Sequence, residues 1–289
     1  MLAGDIRGFF DALDHDHLRR VLDQRVRDGV VRRTINKWRK AGVMDGATLH
    51  HPETGSVQGG VSSPLLANVS LHAVLDTWFV SVVRPRLRGR AMLYRYADDA
   101  VLVLSREDDA RQVMGVLPKR LAKYGLTLHP DKTRRLRFPR PPSGPGDRVL
   151  REDQASRGCE FLGVSHYWGQ SRQGNWVVKR RTAPKRFGRM LKHMAQWCRG
   201  NRHQPVVWQH QQLVRKLRGQ DASYGLTGNM PALRRFRYEV ARVWRKWLNR
   251  RSHRARMHWE RCTSLLERYP LPAPVVYHST QRRVANPCS

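Results

Sequence analysis

Apolar and polar positions follow two different periods along the chain, and a change in that pattern divides it. Up to about residue 180, short apolar runs typical of strands are mixed with segments in which apolar residues recur every three or four positions, as in helices. Beyond that point only the helical spacing is found, in segments rich in arginine. The pattern predicts an α+β domain over 1–180, an all-α domain over 181–275 and a tail over 276–289.

The elements predicted for the first domain come in mixed order. Strands are expected at 2–6, 135–138 and 161–167, with a hairpin over 92–104, and helices at 16–22, 30–40, 65–76 and 108–124. In the second domain helices are expected at 185–199, 206–217, 230–250 and 254–268. A loop of small residues over 55–64 leads into the third helix, where glycines permit a ligand to approach the backbone, although a plain capping loop is the alternative.

The chain is strongly basic, with 55 Lys and Arg against 23 Asp and Glu and a formal charge of +32 on 289 residues. Such a field indicates a polyanionic partner. The basic residues are interleaved with aromatic and aliphatic ones, as in 242–248, which is typical of a folded basic surface rather than a disordered tail. Nucleic acid is favoured over an anionic membrane, because no apolar stretch is expected to approach the roughly 20 residues that a span requires.

The cysteines and the N-terminus predict a cytoplasmic protein. Cys159, Cys198, Cys262 and Cys288 lack the spacing of a zinc site and are interpreted as reduced thiols. The first residues lack the charged, apolar and small-residue pattern of a secretory signal.

Two adjacent carboxylates, Asp98 and Asp99, interrupt the predicted hairpin, and their apolar flanks make that placement unfavourable unless cations neutralise them. A third acid, Asp5, ends the short apolar segment near the start of the chain. The alternative is an ordinary Asp-Asp turn at a solvated hairpin tip. The apolar flanks, the second acid-bearing segment and the overall charge favour a magnesium site.

Four motifs, in this order, resemble reverse transcriptases encoded by bacterial group II introns. They are Asp5-Ile6-x-x-Phe9-Phe10-Asp11-x-x-Asp14-His15, Gln58-Gly59-Gly60-Val61-x-Ser63-Pro64-Leu65-Leu66-Ala67-Asn68, Tyr96-Ala97-Asp98-Asp99 and Phe161-Leu162-Gly163. Segments at 216–219, 224–229 and 244–252 are similar to the thumb, or maturase, region of the same family. The resemblance implies a right-hand polymerase palm, an antiparallel sheet with helices, followed by a helical thumb.

The resemblance also implies a polymerase site that uses two Mg²⁺ ions. The catalytic residues would be Asp5, Asp98 and Asp99, and the metal-binding set would be these three with Ile6. The ions would act on the primer 3′-hydroxyl and on the incoming triphosphate, for which hard oxygen ligands are suited.

Two further groups of residues follow from the resemblance. The nucleotide-binding residues would be Gly8, Phe9, Phe10, Gln58 and Gly59. Among them, the second phenylalanine would exclude a 2′-hydroxyl, while for the first a role in the core is preferred. The template and primer would be contacted by Lys132, Leu162 and Gly163, for which a purely structural role is the alternative.

The implied function is RNA-directed DNA synthesis with an intron-RNA-binding maturase role. Its partners would be an RNA template, a DNA primer, dNTPs and group II intron RNA. Relatives carry a fingers region before the first catalytic acid, and this chain starts almost at that acid. A truncated member is therefore expected, with a homodimer or a separate fingers-bearing polypeptide as options. The alternative is an inactive RNA-binding splicing factor, although the presence of all three acids favours descent from an active polymerase.

Overall fold

The computed structural model describes residues 1–4, 6–9, 15–40, 43–45, 48–50, 63–130, 133–139, 141, 158–251 and 258–279. The chain divides into two compact units, Met1–Arg137 and Phe138–Ser289, each with its own hydrophobic core. This division falls earlier than the change of hydrophobic period near residue 180, because the strands between 159 and 182 group with the helices that follow them. The functional domains drawn from the sequence, 1–180, 181–275 and 276–289, stay a prediction.

The first unit mixes short strands with longer helices. Its strands are β1 (Leu2–Gly4), β2 (Ile6–Arg7), β3 (Val43–Asp45), β4 (Thr48–His50), β5 (Ala91–Tyr96), β6 (Asp99–Leu104), β7 (Thr127–Leu128) and β8 (Arg134–Arg135). Its helices are α1 (His15–Asp23), α2 (Gly29–Lys40), α3 (Ser63–Leu71) and α4 (Glu107–Ala122). The predicted hairpin and helices are confirmed, with ends that differ by a few residues, whereas β8 is shorter than the strand expected there.

A four-stranded antiparallel sheet in the order β5-β6-β1-β8 organises the first unit. The β5–β6 hairpin pairs from Ala91 opposite Leu104 to Tyr96 opposite Asp99. The β1 strand runs along the other side of β6. Apolar side chains of the sheet pack with those of α1, α3 and α4 in one core cluster. The hairpin is therefore fixed at its base by the core, while its turn lies at the end of the sheet.

One long helix, Ser63–Arg86, supplies much of that core. It begins as α3, continues through two π-helical turns, His72–Thr77 and Phe79–Val83, and ends in a 3₁₀ turn. It is long and apolar enough to cross a membrane, so the expectation that no apolar stretch approaches that length was wrong. Half of its most apolar window is buried, and the buried side chains of the helix belong to the core cluster of the first unit, as expected for the core helix of a folded domain.

The second unit begins with a three-stranded antiparallel sheet and continues with helices. The strands, in the order β11-β10-β9, are β9 (Cys159–Phe161), β10 (Val164–Gln170) and β11 (Trp176–Thr182). The helices are α5 (Pro184–Gly200), α6 (Val206–Tyr224), α7 (Met230–Leu248) and α8 (Trp259–Arg268). These helices confirm the helical character predicted after residue 180, and the predicted start of the last one, 254–257, lies outside the described residues. The β11 strand was missed because its second half is basic.

Two buried polar side chains, Asn229 and Gln209, connect elements of the second unit through hydrogen bonds. Asn229, with 0% exposure, accepts a hydrogen bond from the Thr182 backbone N–H and donates to the Tyr224 carbonyl. Gln209, with 1% exposure, accepts a hydrogen bond of 2.8 Å from the indole N–H of Trp244. The first contact ties the end of β11 to the turn before α7, and the second ties α6 to α7.

Candidate active site

The two adjacent acids lie at the turn of the β5–β6 hairpin. Tyr96 and Asp99 form the last pair of the ladder, so Ala97 and Asp98 make the two-residue turn between the strands. The Asp98 side chain is half-buried and Asp99 is exposed. The hairpin therefore presents two carboxylates at one end of the sheet.

The backbone of this turn is strained. Ala97 has a φ of 52°, in the left-handed region that residues with a Cβ disfavour by about 1–2 kcal/mol. Among the described residues one other non-glycine residue, Leu162, also has a positive φ of 52°. Both turns belong to motifs predicted to serve polymerisation. Strain of this kind persists only where surrounding contacts hold it in place.

The first strand leads toward this turn. In the β1–β6 ladder, Gly4 lies opposite Ala100, the residue that follows Asp99. The next residue in the sequence after Gly4 is Asp5, which lies outside the described residues. Beyond it, Ile6 is 6% exposed and pairs with Leu128 in the β2–β7 ladder.

The remaining predicted site residues fall into two groups. Gly8 is exposed with a φ of 53°, whereas Phe9 is 2% exposed and belongs to the core cluster, as preferred from the sequence. Their contacts with a nucleotide stay predictions. The other predicted nucleotide and primer contacts in this unit lie outside the described residues: Phe10, Gln58, Gly59 and Lys132.

The predicted primer-binding turn, Leu162-Gly163, joins β9 to β10 in the second unit. Gly163 has a φ of 74°, and a Cβ added to it would lie 2.9 Å from the Tyr224 hydroxyl. That hydroxyl accepts a hydrogen bond of 2.8 Å from Arg186 Nε. Leu162 is 43% exposed. The turn and the acidic hairpin belong to different units, and the contact of either with a primer stays a prediction.

The sequence did not predict a polar cluster that connects the β5–β6 hairpin to the long helix. Arg95, the penultimate residue of β5, donates from Nε to Asp76 Oδ1 at 2.8 Å and from Nη2 to Asp76 Oδ2 at 2.6 Å. Its Nη1 donates to the Asn68 side-chain oxygen at 2.8 Å and to the Ala97 carbonyl at 3.0 Å. The signal in the sequence was one acid and one arginine, each inside an apolar segment, which indicates that both need partners.

The charge state of this cluster follows from the pKa of Asp76. Burial acts to raise that pKa, but the hydrogen bonds and charge of Arg95, with a smaller effect of His72, lower it below its ordinary value of 3.8. Asp76 is therefore ionised at neutral pH. The side chains of Arg95 and Asp76 are only 12% and 24% exposed, so water screens this ion pair less than it would a surface pair.

The donor chemistry of the hairpin turn fits magnesium. Asp98 and Asp99 supply carboxylate oxygens, the hard ligands that this ion prefers. Among the described residues no group of three or more His, Cys, Asp or Glu side chains could hold a metal ion. The described part of the chain thus supplies two of the three predicted acids, and the third, Asp5, is outside it.

A basic surface covers part of the helices of the second unit. The cationic groups of Arg199, Lys246 and Arg250 lie 5.9, 5.9 and 5.1 Å from the centre of the Trp247 ring. We call these four residues the Trp247 surface. A separate groove is lined by further basic and aromatic residues, among them Arg186, Arg189, His193, Trp197 and Lys216. Cations over aromatic rings are well suited to phosphates and stacked bases.

Comparison with known proteins points to one family. The profile of the family described as reverse transcriptase (RNA-dependent DNA polymerase) matches residues 1–166. The group II intron-encoded protein LtrA of Lactococcus lactis subsp. cremoris is 41% identical over 71 residues, which are 25% of this chain and 12% of that protein. Protein YkfC of Escherichia coli (strain K12) is 29% identical over a match that covers 46% of this chain and 42% of that protein. The chain therefore spans less than half the length of these relatives.

A solved structure was also compared. Apo telomerase from Candida tropicalis has a TM-score of 0.49 and 12% sequence identity, over 86% of this chain and 41% of that chain. This score is too low to bear on the fold.

Proposed function

We propose, since this chain belongs to the reverse transcriptase (RNA-dependent DNA polymerase) family, that it adds deoxynucleotides to the 3′ end of a primer on an RNA template. The observation that carries the proposal is the pair of acids at the turn of a hairpin inside the family-matched segment. The right-hand polymerase palm of the family accounts for the antiparallel sheet on which that hairpin is built. A cytoplasmic location is part of the proposal and is supported by three free, buried thiols.

In the proposed site, the carboxylates of Asp98, Asp99 and Asp5 and the backbone carbonyl of Ile6 would hold two Mg²⁺ ions. When bound, the ions lower the pKa of the primer hydroxyl and balance the charge of the triphosphate. The role of the acids would be to supply the oxygen ligands for these ions. In support, β1 pairs with β6 up to Gly4 and Ala100, one residue before Asp5 and one after Asp99.

The proposed nucleotide pocket lies at the motif that follows β1. The Gly8 and Phe9 amides approach the phosphates, and Phe10 lies under the sugar and excludes a 2′-hydroxyl. Gln58 and Gly59 contact the nucleotide or the template. Gly8 supports this arrangement because it is exposed and has a positive φ, a conformation that glycine adopts without strain and that allows close approach of a ligand to the backbone.

The proposed contacts with template and primer come from one residue of the first unit, Lys132, and from residues of the second unit. Lys132 and the turn Leu162-Gly163 contact the primer, and the Trp247 surface contacts the backbone of the duplex and, in the maturase role, group II intron RNA. The clustered cations around an aromatic ring support this assignment.

Primer extension tests the proposal. A DNA primer on an RNA template with dNTPs and Mg²⁺ should be extended by the wild-type chain, and the Asp98→Asn, Asp99→Asn double variant should lose this activity while its thermal unfolding stays unchanged. Asp108→Asn is the matched control, since it removes a carboxylate that is 67% exposed at the start of α4. Absence of extension by the wild-type chain would overturn the catalytic proposal.

A second candidate, RNA binding without catalysis, is favoured by the Trp247 surface, which needs no acids to operate. It predicts that structured RNA binds equally well to the wild type and to the double variant, and that neither extends a primer. Extension by the wild type that depends on Asp98 and Asp99 would exclude it.

A further inference from the structure

We infer that Arg95 is a positioning residue. Asp76 and Asn68 anchor its side chain, and its hydrogen bond to the Ala97 carbonyl fixes the hairpin turn at which Asp98 and Asp99 lie. The inference rests on the proposed function, because the turn matters for catalysis only if those acids are catalytic. No part of it requires Arg95 to touch a nucleotide or a metal ion.

The first step is the geometry of the guanidinium. Its Nε and Nη2 form a bidentate ion pair with Asp76, and its Nη1 donates both to Asn68 and to the Ala97 carbonyl. Arg95 therefore joins two side chains of the long helix to one backbone carbonyl of the hairpin turn. The planar fork of arginine makes these contacts at once, whereas a lysine ammonium could not reach three separate acceptors with the same geometry.

The second step concerns what that carbonyl controls. The Ala97 carbonyl belongs to the peptide plane that joins Ala97 to Asp98, so fixing its oxygen sets the orientation of that plane and the direction in which the Asp98 side chain leaves the backbone. Ala97 has a φ of 52°, a conformation that alanine leaves readily when nothing holds it. The hydrogen bond from Arg95 is thus placed where the turn is least stable on its own.

The third step is the rigidity of the anchor. Asp76 lies in the π-helical turn His72–Thr77, between the buried residues Leu75 and Trp78 of the core cluster. On the same helix, His72 Nδ1 lies 3.3 Å from Asp76 Oδ2. π-Helical turns inside longer helices are uncommon and recur at functional sites. The acid that holds Arg95 is therefore anchored to the core of the first unit, to which the base of the hairpin contributes Ala91, Ala100 and Leu102.

The test compares variants that weaken the contacts of Arg95 with a control variant at another arginine. Arg95→Lys and Asn68→Ala should both weaken the contact of residue 95 with the hairpin turn. Asn68→Ala removes only one hydrogen-bond partner of Arg95, so this variant should still fold. Arg120→Lys is the control, because Arg120 also donates to the long helix, at the Val74 carbonyl at 3.1 Å, and stacks on Tyr124, but makes no contact with the hairpin turn.

Two readouts decide the outcome. Amide hydrogen exchange of peptides covering 95–100 should become about tenfold faster in Arg95→Lys than in Arg120→Lys, with a smaller increase in Asn68→Ala. In primer extension, kcat should fall by about tenfold or more in Arg95→Lys with little change in KM for dNTP, because positioning of the acids rather than nucleotide binding is lost.

Failure of this inference and failure of the proposed function give different results. Equal exchange in Arg95→Lys and Arg120→Lys, or faster exchange with unchanged kcat, would overturn the positioning role. If the wild type does not extend a primer at all, the proposed function fails and the catalytic part of the inference fails with it, whatever the exchange shows.

Discussion

At the scale of single residues, the two acids of the hairpin turn could be predicted from the sequence, but the Arg95–Asp76 ion pair next to that turn could not. Asp98 and Asp99 are conspicuous because they interrupt an apolar hairpin, and the structure places them at its turn. Arg95 and Asp76 are also charged residues inside apolar segments. The sequence alone, however, does not show that these two residues form an ion pair with each other. Their contact spans 19 positions and depends on how the long helix crosses the sheet.

The Arg95–Asp76 pair predicts a pH dependence of stability. The folded-state pKa of Asp76 is lower than its ordinary 3.8, so the pair stabilises the fold above about pH 4 and this contribution is lost as the pH falls through the folded-state pKa. Urea unfolding should show Asp76→Asn less stable than wild type by about 1–3 kcal/mol near neutral pH, with a smaller difference near pH 2. A difference that does not shrink in acid would contradict this, and Asp108→Asn should show little effect at either pH.

The thiols give a second prediction at this scale. Burial raises the pKa of Cys198 to about 12, and the charge of Lys216 opposes this with a lesser effect. The neutral thiol is favoured in the folded state, so native Cys198 should resist alkylation by iodoacetamide at pH 8 and react readily after denaturation. Mass spectrometry of the labelled peptides measures both rates. Equal rates in the native and the denatured protein would show that the thiol is exposed.

At the scale of elements, the hydrophobic period located the helices and the 92–104 hairpin well, but it missed one strand and gave another the wrong length. The helices at 16–22, 30–40 and 108–124 are close to their predicted ends, because each carries an apolar stripe that must be buried. The π-helical turns of the long helix and the strand Trp176–Thr182 were not foreseen. The strand depends on its pairing with β10, a distant partner that the local pattern does not reveal.

The turns of the second unit allow a paired prediction with glycines. Gly163 and Gly174 both have a positive φ, but a Cβ at Gly174 would meet nothing within 4 Å, whereas one at Gly163 would lie 2.9 Å from the Tyr224 hydroxyl. Gly174→Ala should therefore cost only backbone strain of about 1 kcal/mol, and Gly163→Ala should destabilise the protein further. Denaturant unfolding measures both. Equal losses would mean that the Tyr224 side chain moves aside without cost.

At the scale of the whole molecule, charge and motif order carried the functional prediction. The family match over 1–166 agrees with the ordered motifs, and the α+β architecture agrees with the expected palm. The division of the contacts near residue 137 was not predicted, although a run rich in Pro and Gly, 139–147, directly follows it, because composition does not show that strands β9–β11 group with the helices after them. Five predicted contacts, at Asp5, Phe10, Gln58, Gly59 and Lys132, lie outside the described residues and stay predictions.

The charge of the molecule predicts a steep dependence of RNA affinity on salt. Each phosphate contact removed should reduce the slope of log K against log salt by about 0.7–1. Arg199→Gln and Arg250→Gln on the Trp247 surface should each lower that slope, while Arg111→Gln, whose partner is Glu107, should leave it nearly unchanged. Filter binding at several salt concentrations measures this, and identical slopes for all three variants would exclude the Trp247 surface as the RNA contact.

The most direct test of the central claim is the rate of a single deoxynucleotide addition as a function of Mg²⁺ concentration, in the wild type and in Asp98→Asn. The account predicts a wild-type rate that rises with Mg²⁺ and saturates, and a rate in the variant that is slower by about a thousandfold or more at every concentration. A variant that adds the nucleotide at the wild-type rate, or a wild-type rate that does not depend on Mg²⁺, would contradict the assignment of the hairpin turn as the active site.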